Sequence, residues 1–207
     1  MALLDRLTKA KAELKPTETK VITEDGQETV VRVNKDGSMT VLASNVRPWG
    51  WVGDLKPDLQ CARIMNGLYL SSQDVAQDYD LLKSNGITHI VNCASFVANH
   101  FPQDFVYKKI EINDLPEVDI RKHFQDVFQF IEQARQQPEG RVLVHCNAGV
   151  SRSATFVIGY LMRHQGLSLS QATTKVNNVR TVRPNEGFRR QLRIYQEDLK
   201  MNGILPC

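Results

Sequence analysis

The 207-residue sequence predicts an α/β fold: a mostly parallel central sheet flanked by helices, preceded by an extension of one helix and a small β-meander. Three observations carry that prediction. From residue 58 onward, short β-branched runs alternate with stretches of helical spacing. Residues 141–144 form an apolar run suited to a strand buried on both faces. Residues 154–162, a few positions on, are apolar nearly all round, as befits a helix in the centre of a domain.

Taken in order, residues 2–14 show helical spacing through Leu3, Leu4, Leu7 and Ala10 and stop before Pro16. Two turns, Asp25-Gly26 and Asp36-Gly37, then separate β-prone runs at 20–23, 29–33 and 38–42, an antiparallel meander. Residues 43–57 read as loop, with Trp49 and Trp51 as anchors onto the second domain. The expected division is an extension at 1–56, of no legible role, and that second domain at 57–207. Within the latter, strands are predicted at 68–70, 87–93, 107–112 and 141–144. Helices are predicted at 74–83, closed by Gly86, and at 122–135, amphipathic through Phe124, Val127, Phe128, Ile131 and Ala134. Three more are predicted at 153–164, 168–179 and 186–200.

Composition narrows the function. With 42% hydrophobic and 24% charged residues the chain fits one soluble domain plus an extension. A net charge of +3 gives no reason to expect a nucleic-acid partner. The four cysteines (Cys61, Cys93, Cys146, Cys207) form no Cys-x-x-Cys pair, so no metal, no cofactor and no disulfide framework is expected. The opening Met1 to Arg6 has no signal-peptide core, and no apolar run is long enough to span a bilayer, so no membrane partner is expected.

The chemistry concentrates in His145-Cys146-Asn147-Ala148-Gly149-Val150-Ser151-Arg152-Ser153, between the apolar strand and the apolar helix. Backbone N–H groups at a helix N-terminus are unpaired and the dipole there favours anions, so the loop Asn147, Ala148, Gly149, Val150, Ser151 and Arg152 can cradle a phosphate. Gly149 permits the tight turn. Cys146, among N–H donors and near an arginine, is placed to react as thiolate. Arg152 supplies a planar fork for two phosphate oxygens. These parts suit in-line attack by sulfur on phosphorus, giving a phosphocysteine. An isolated cysteine would read as a small buried hydrophobe; here cysteine, glycine, arginine and hydroxyl suit one mechanism at one spacing. Such a thiol must stay reduced, which points to the cytoplasm, with the nucleus as a second location.

The leaving oxygen needs a proton, and Asp114 is the best source: it comes after the strand-like run 107–112 and precedes an amphipathic helix. Glu117 and Asp119 are runners-up, though acids there also cap helices.

This segment resembles the signature His-Cys-x5-Arg-Ser/Thr of the cysteine-based protein tyrosine phosphatase superfamily. The longer HCNAGVSRSATFVIGYLM resembles its dual-specificity branch, in the small atypical form that lacks a kinase-docking module. The likeness covers about residues 57–200 and implies removal of phosphate from phosphotyrosine and from phosphoserine or phosphothreonine. It places the acid at Asp114, about thirty residues before the cysteine. It implies that the Ser153 hydroxyl stabilises the departing thiolate; a helix-start serine is the plainer alternative. His145 orders the loop or simply packs. Arg180 and Asn185 fall in an element resembling Arg-x-x-x-Pro-Asn-x-Gly-Phe; Arg180 binds a second anion, pairs with a carboxylate, or is a solvated cation. The resemblance also implies phosphorylated protein partners in mitogen-activated and stress-kinase signalling, the Jun-kinase branch above all, either the kinases or their upstream kinases.

Several readings compete. Lipid and inositol phosphatases share the loop but set lysines in it, whereas Asn147, Ala148, Val150 and Ser151 are neutral. RNA triphosphatases and glucan phosphatases share it too. A non-catalytic scaffold for kinase-pathway proteins would tolerate loss of Cys146. Arg180, Arg183, Arg189, Arg190 and Arg193 form a solvated helix face or steer acidic segments. Cys93 is a buried core thiol, or it traps oxidised Cys146 as a disulfide.

Overall fold

The structure, a computed structural model, describes residues 57–206 and, before them, the backbone of three strands. The chain divides into two compact units, Met1–Lys56 and Pro57–Cys207. In the first, β1 (Thr17–Ile22), β2 (Glu28–Val33) and β3 (Met39–Ser44) pair antiparallel in the order β1-β2-β3. The meander is the predicted one. β1 begins three residues earlier than expected, because alternating Thr17, Glu18, Thr19 and Lys20 pair fully with β2 despite their polarity. The helix predicted at 2–14 and the anchors Trp49 and Trp51 lie outside the described residues.

The second unit is built on β4 (Ala62–Met65), β5 (Leu68–Ser71), β6 (His89–Ala94), β7 (Val106–Ile112) and β8 (Val142–His145), ordered β4-β5-β8-β6-β7. Only β4 runs antiparallel to its neighbour. The sequence reading does not include it. It joins β5 through Asn66-Gly67, where Gly67 takes φ 74°, the left-handed conformation that a two-residue hairpin turn requires. β8 lies at the centre, and its alternating side chains explain its unbroken apolar run. Val142 and Val144 enter the larger core cluster on one face, and Leu143 enters the smaller cluster on the other.

The smaller cluster is covered by α1 (Gln73–Ala76) and α2 (Tyr79–Ser84). These two stand where the sequence predicts one helix at 74–83. The break arises because the Asp78 carboxylate accepts from the Leu81 N–H at 2.9 Å and caps a new helix, a role aspartate prefers to a helix interior. On the other face lie a 3₁₀ turn (Arg121–His123) and α3 (Phe124–Arg135), α4 (Arg152–Gln165), α5 (Leu169–Asn177) and α6 (Glu186–Met201). Every residue of α4 from Arg152 to Met162 is buried; the near-uniform apolarity of 154–162 predicts this for that stretch, while Arg152 and Ser153 are buried at the loop. Among the described residues no helix is long and apolar enough to cross a membrane. Because β5 to β8 are parallel, the loops after β6, β7 and β8 emerge along one edge of the sheet, the edge where open α/β sheets hold ligands.

Candidate active site

The loop from Cys146 to Arg152 is held from outside, carbonyl by carbonyl. The Asn147 carbonyl accepts from the Gln73 N–H at 2.8 Å, and that of Val150 from the Arg183 N–H at 2.8 Å. The carbonyls of Ala148 and Gly149 accept from Arg180 Nη2 and Nε at 2.8 and 3.1 Å. The Ser151 carbonyl accepts from the amide and hydroxyl of Thr155. In a trans peptide the N–H points opposite to the preceding carbonyl. Five carbonyls tied outward therefore turn the amides of residues 148–152 toward the loop's centre. The amides of Ala148, Val150 and Ser151 donate to no acceptor among the described residues, which suits an anion of several oxygens. Gly149 makes the path feasible. Its φ is 70°, and a Cβ there would lie 2.4 Å from the Ser71 carbonyl oxygen.

Cys146 forms the floor of this ring and is 1% exposed. Its Sγ accepts from the Gly149 N–H at 3.3 Å and from the Ser153 hydroxyl at 3.2 Å. Arg152 is oriented by two acceptors: Nη1 donates to the Ile112 carbonyl at 3.0 Å and Nη2 to Asn147 Oδ1 at 2.7 Å. Its buried Nε finds no hydrogen-bond acceptor among the described residues; an unmatched guanidinium N–H is what a phosphate oxygen would take up.

Asp114 stands over the cradle. Its Oδ1 accepts from Ser151 Oγ at 2.8 Å and from Asn185 Nδ2 at 2.7 Å, and its Oδ2 lies 3.6 Å from Arg152 Nε. Asn185 uses both ends of its amide, since Oδ1 caps α6 by accepting from the Phe188 N–H at 2.9 Å. The Asn185 N–H also donates to Ser151 Oγ, at 3.1 Å, completing a closed network. The runners-up are not in it. Asp119 accepts from the Arg121 N–H just ahead of the 3₁₀ turn, and Glu117 is exposed.

Of the readings open for Arg180, pairing with a carboxylate is the one seen. It is buried, forms a close ion pair with Asp58, and holds two loop carbonyls, which leaves no room for the solvated-cation reading. Burial raises the Asp58 carboxyl, but the hydrogen bond and charge of Arg180 and the Gln60 N–H outweigh it, leaving the carboxyl below its ordinary value. Arg183, Arg189, Arg190 and Arg193 are exposed, and Arg189 and Arg193 pair with Glu186. His145 is buried beneath the loop with Nδ1 3.3 Å from the Cys146 carbonyl. Burial drives its pKa down to about 4, so the ring is neutral near pH 7 and packs and orients without carrying charge. Cys93 adjoins Cys146: Asn92 pairs with His145 in register, and both thiols enter the same core cluster. The Cys93 thiol donates to the His145 carbonyl at 2.9 Å, and burial pushes its pKa well above the ordinary range.

Two features of the site are absent from the sequence reading. Gln73 ties the start of α1 to the loop through its own N–H and through its Oε1, which accepts from Asn147 Nδ2 at 3.2 Å. Gly187 lets α6 press on the acid loop, since a Cβ there would lie 1.9 Å from the Pro116 carbonyl oxygen. The Gly-Phe of the downstream element was the available signal.

Comparison with known proteins gives a consistent picture. Residues 68–198 match the family described as dual specificity phosphatase, catalytic domain. Dual specificity protein phosphatase 19 of Mus musculus is 47% identical over 155 residues, spanning 74% of this chain and 70% of that one. A mouse putative dual specificity phosphatase, solved in complex with zinc tungstate, is 31% identical with a TM-score of 0.67, over 76% of this chain and 98% of that one. The human tyrosine phosphatase-like serine/threonine/tyrosine-interacting protein is 36% identical with a TM-score of 0.64, over 66% and 95%.

Proposed function

We propose that this chain, which belongs to the dual-specificity phosphatase family, hydrolyses phosphotyrosine and phosphoserine or phosphothreonine in proteins through a phosphocysteine intermediate. The observation that carries the reading is the ring of inward amides around Cys146, closed by Arg152 and overhung by Asp114. In the first step the Cys146 thiolate attacks phosphorus, and Asp114 gives its proton to the leaving oxygen. Oδ1 is already occupied by two donors, so Oδ2 carries that proton. Inward amides and the Arg152 fork meet the charge on the equatorial oxygens. In the second step Asp114 takes a proton from the attacking water, and the Ser153 hydroxyl stabilises the thiolate as the S–P bond breaks.

The substrates proposed are phosphorylated segments of mitogen-activated or stress kinases, or of their upstream kinases, in the Jun-kinase branch. The family likeness supports this, and exposed Arg183 and Arg190 would favour acidic segments. A reduced compartment, cytoplasmic with nuclear access, suits the thiolate. Arg152 is the loop's only cation, which disfavours the multiply charged headgroups of inositol lipids.

The test is a panel of singly and doubly phosphorylated activation-loop peptides. Wild type should release phosphate, Cys146→Ser should release none, and Asp114→Ala should slow turnover by about 10²–10⁴-fold. Turnover of inositol phosphates without any phosphopeptide would overturn the substrate class. A scaffold reading draws on the likeness to a protein named as tyrosine phosphatase-like and interacting; it requires that Cys146→Ser leave the pathway effect intact.

A further inference from the structure

The loop that leaves β6 carries a feature that the cradle does not explain. Phe96 is 99% exposed, the most exposed large apolar side chain among the described residues. Its backbone also sits at φ 61°, a left-handed conformation that is strained for a bulky residue. Nothing in folding favours a phenylalanine at such a position; glycine or asparagine would relieve the strain and remove the exposed ring.

The strain persists because both sides of Phe96 are pinned. The buried Asn92 side chain donates to the carbonyls of Val97 and Ala98 at 3.0 and 3.3 Å and to Asn99 Oδ1 at 3.0 Å, while its Oδ1 accepts from the Ala94 N–H at 3.1 Å. Lys109 Nζ donates to the carbonyls of Ala94 and Val97, the latter at 2.6 Å. Val97 turns inward and packs on the main core cluster, which leaves its neighbour turned out. The backbone that presents the ring to water is thus fixed on both sides, and pre-organisation of this kind lowers the cost of binding.

The place of the loop supplies the reason. Asn92 pairs with His145 about one strand spacing (~4.8 Å) away, two residues before β6 ends at Ala94, so the loop that follows leaves beside the strand that enters the cradle. The Lys109 ammonium that holds Val97 also feels the charge of Arg152. The loop carrying Phe96 therefore leaves the sheet at the edge that bears the cradle. A ring lining a pocket would be partly covered by the opposite wall; one this bare is open to a polypeptide lying across the surface.

We infer that Phe96 is a specificity residue that receives an apolar side chain flanking the phosphorylated residue of the protein substrate. This rests on the phosphatase reading above. The experiment compares wild type with Phe96→Ser on paired phosphopeptides that carry leucine or serine on either side of the phosphoresidue, with p-nitrophenyl phosphate as a small substrate. Wild type should prefer one of the leucine peptides by about tenfold in kcat/KM, through KM, the scale of burying an apolar side chain on one ring. Phe96→Ser should lose that preference and keep its turnover of p-nitrophenyl phosphate. Phe96→Gly, relieved of strain, should melt above wild type. The inference is overturned if both enzymes turn over all substrates with the same flank preference, or if Phe96→Gly melts lower, which would mark the ring as structural. Failure of wild type on the small substrate as well would overturn the phosphatase reading beneath it.

Discussion

Replacing Gly187 with alanine should disable Asp114, the proposed proton donor, without touching it. A Cβ at Gly187 would lie 1.9 Å from the Pro116 carbonyl oxygen, whereas ordinary contact begins near 3.4 Å. α6 is fixed by buried Phe188, Leu192 and Leu199, so the loop bearing Asp114 must give way, by about 1.5 Å. Asp114 then leaves its two donors, Ser151 and Asn185. Misplacing a catalytic group by ~1 Å can cost about 10²-fold. We therefore expect Gly187→Ala to lower kcat about a hundredfold on a phosphothreonine peptide, whose alkoxide needs the proton. The loss should be much smaller on p-nitrophenyl phosphate, whose leaving group does not. Alanine is the better helix former by ~1 kcal/mol, so unfolding is not the expected outcome, and a melting curve checks it. The decisive assay adds Asp114→Asn alone and in combination. If positioning of Asp114 is the mechanism, Gly187→Ala adds little once the acid is gone. Undiminished turnover of the phosphothreonine peptide by a folded Gly187→Ala enzyme, or a full hundredfold loss on top of Asp114→Asn, would show that Gly187 does not act through Asp114.

The same geometry sets other expectations. Ser153→Ala removes the hydroxyl 3.2 Å from Cys146 Sγ and should slow breakdown of the intermediate by roughly 10–100-fold, seen as a burst of leaving group before a slow steady state; a slower burst with an unchanged steady state would contradict it. His145, depressed to about 4 from an ordinary 6.5, titrates first in the unfolded chain. Stability is therefore present above about pH 6.5 and is lost as pH falls toward 4, by up to about 3 kcal/mol. Urea midpoints at pH 7 and pH 4.5 should converge in His145→Asn relative to wild type, and an equal drop in both proteins would count against the assignment. Cys93 beside Cys146 leads us to expect that a hydroperoxide oxidises Cys146 to the sulfenic acid, which the Cys93 thiol condenses with, losing water, to a thiol-reversible disulfide. A linked peptide in mass spectra after mild peroxide is the expected result; its absence would leave Cys93 as a core residue only.

The cradle could be read from the sequence because its parts are contiguous. Cys146, Gly149, Arg152 and Ser153 come from one loop and one helix start, so local spacing already determines their geometry. The burial of β8 and α4 was legible for a similar reason, in apolar runs without period. Asp114 was reached by its place after a strand together with the family resemblance, since nothing local distinguishes it from a turn residue. For Arg180 a carboxylate partner was among the readings, but neither which carboxylate nor its hold on the loop was legible, and the role of Gly187 was not legible at all. Arg180 meets Asp58, Ala148 and Gly149, and Gly187 meets Pro116, contacts made only when distant segments are brought together. The break at Asp78 was hidden because continuous helical spacing outweighed a single capping residue. The β4–β5 hairpin carries an Asn-Gly signal at Asn66-Gly67, masked by the polar Arg63 within so short a strand.

The proposed mechanism requires that sulfur at position 146 become covalently phosphorylated during turnover. Acid quenching of the enzyme within the first turnover, with mass spectrometry of its peptides, tests this directly. The expected result is a phosphoryl group on the peptide containing Cys146, more abundant in Ser153→Ala and absent in Cys146→Ser, which should also be inactive. Phosphate release by Cys146→Ser, or steady turnover by Ser153→Ala with no phosphorylated Cys146 peptide at any time, would contradict the account.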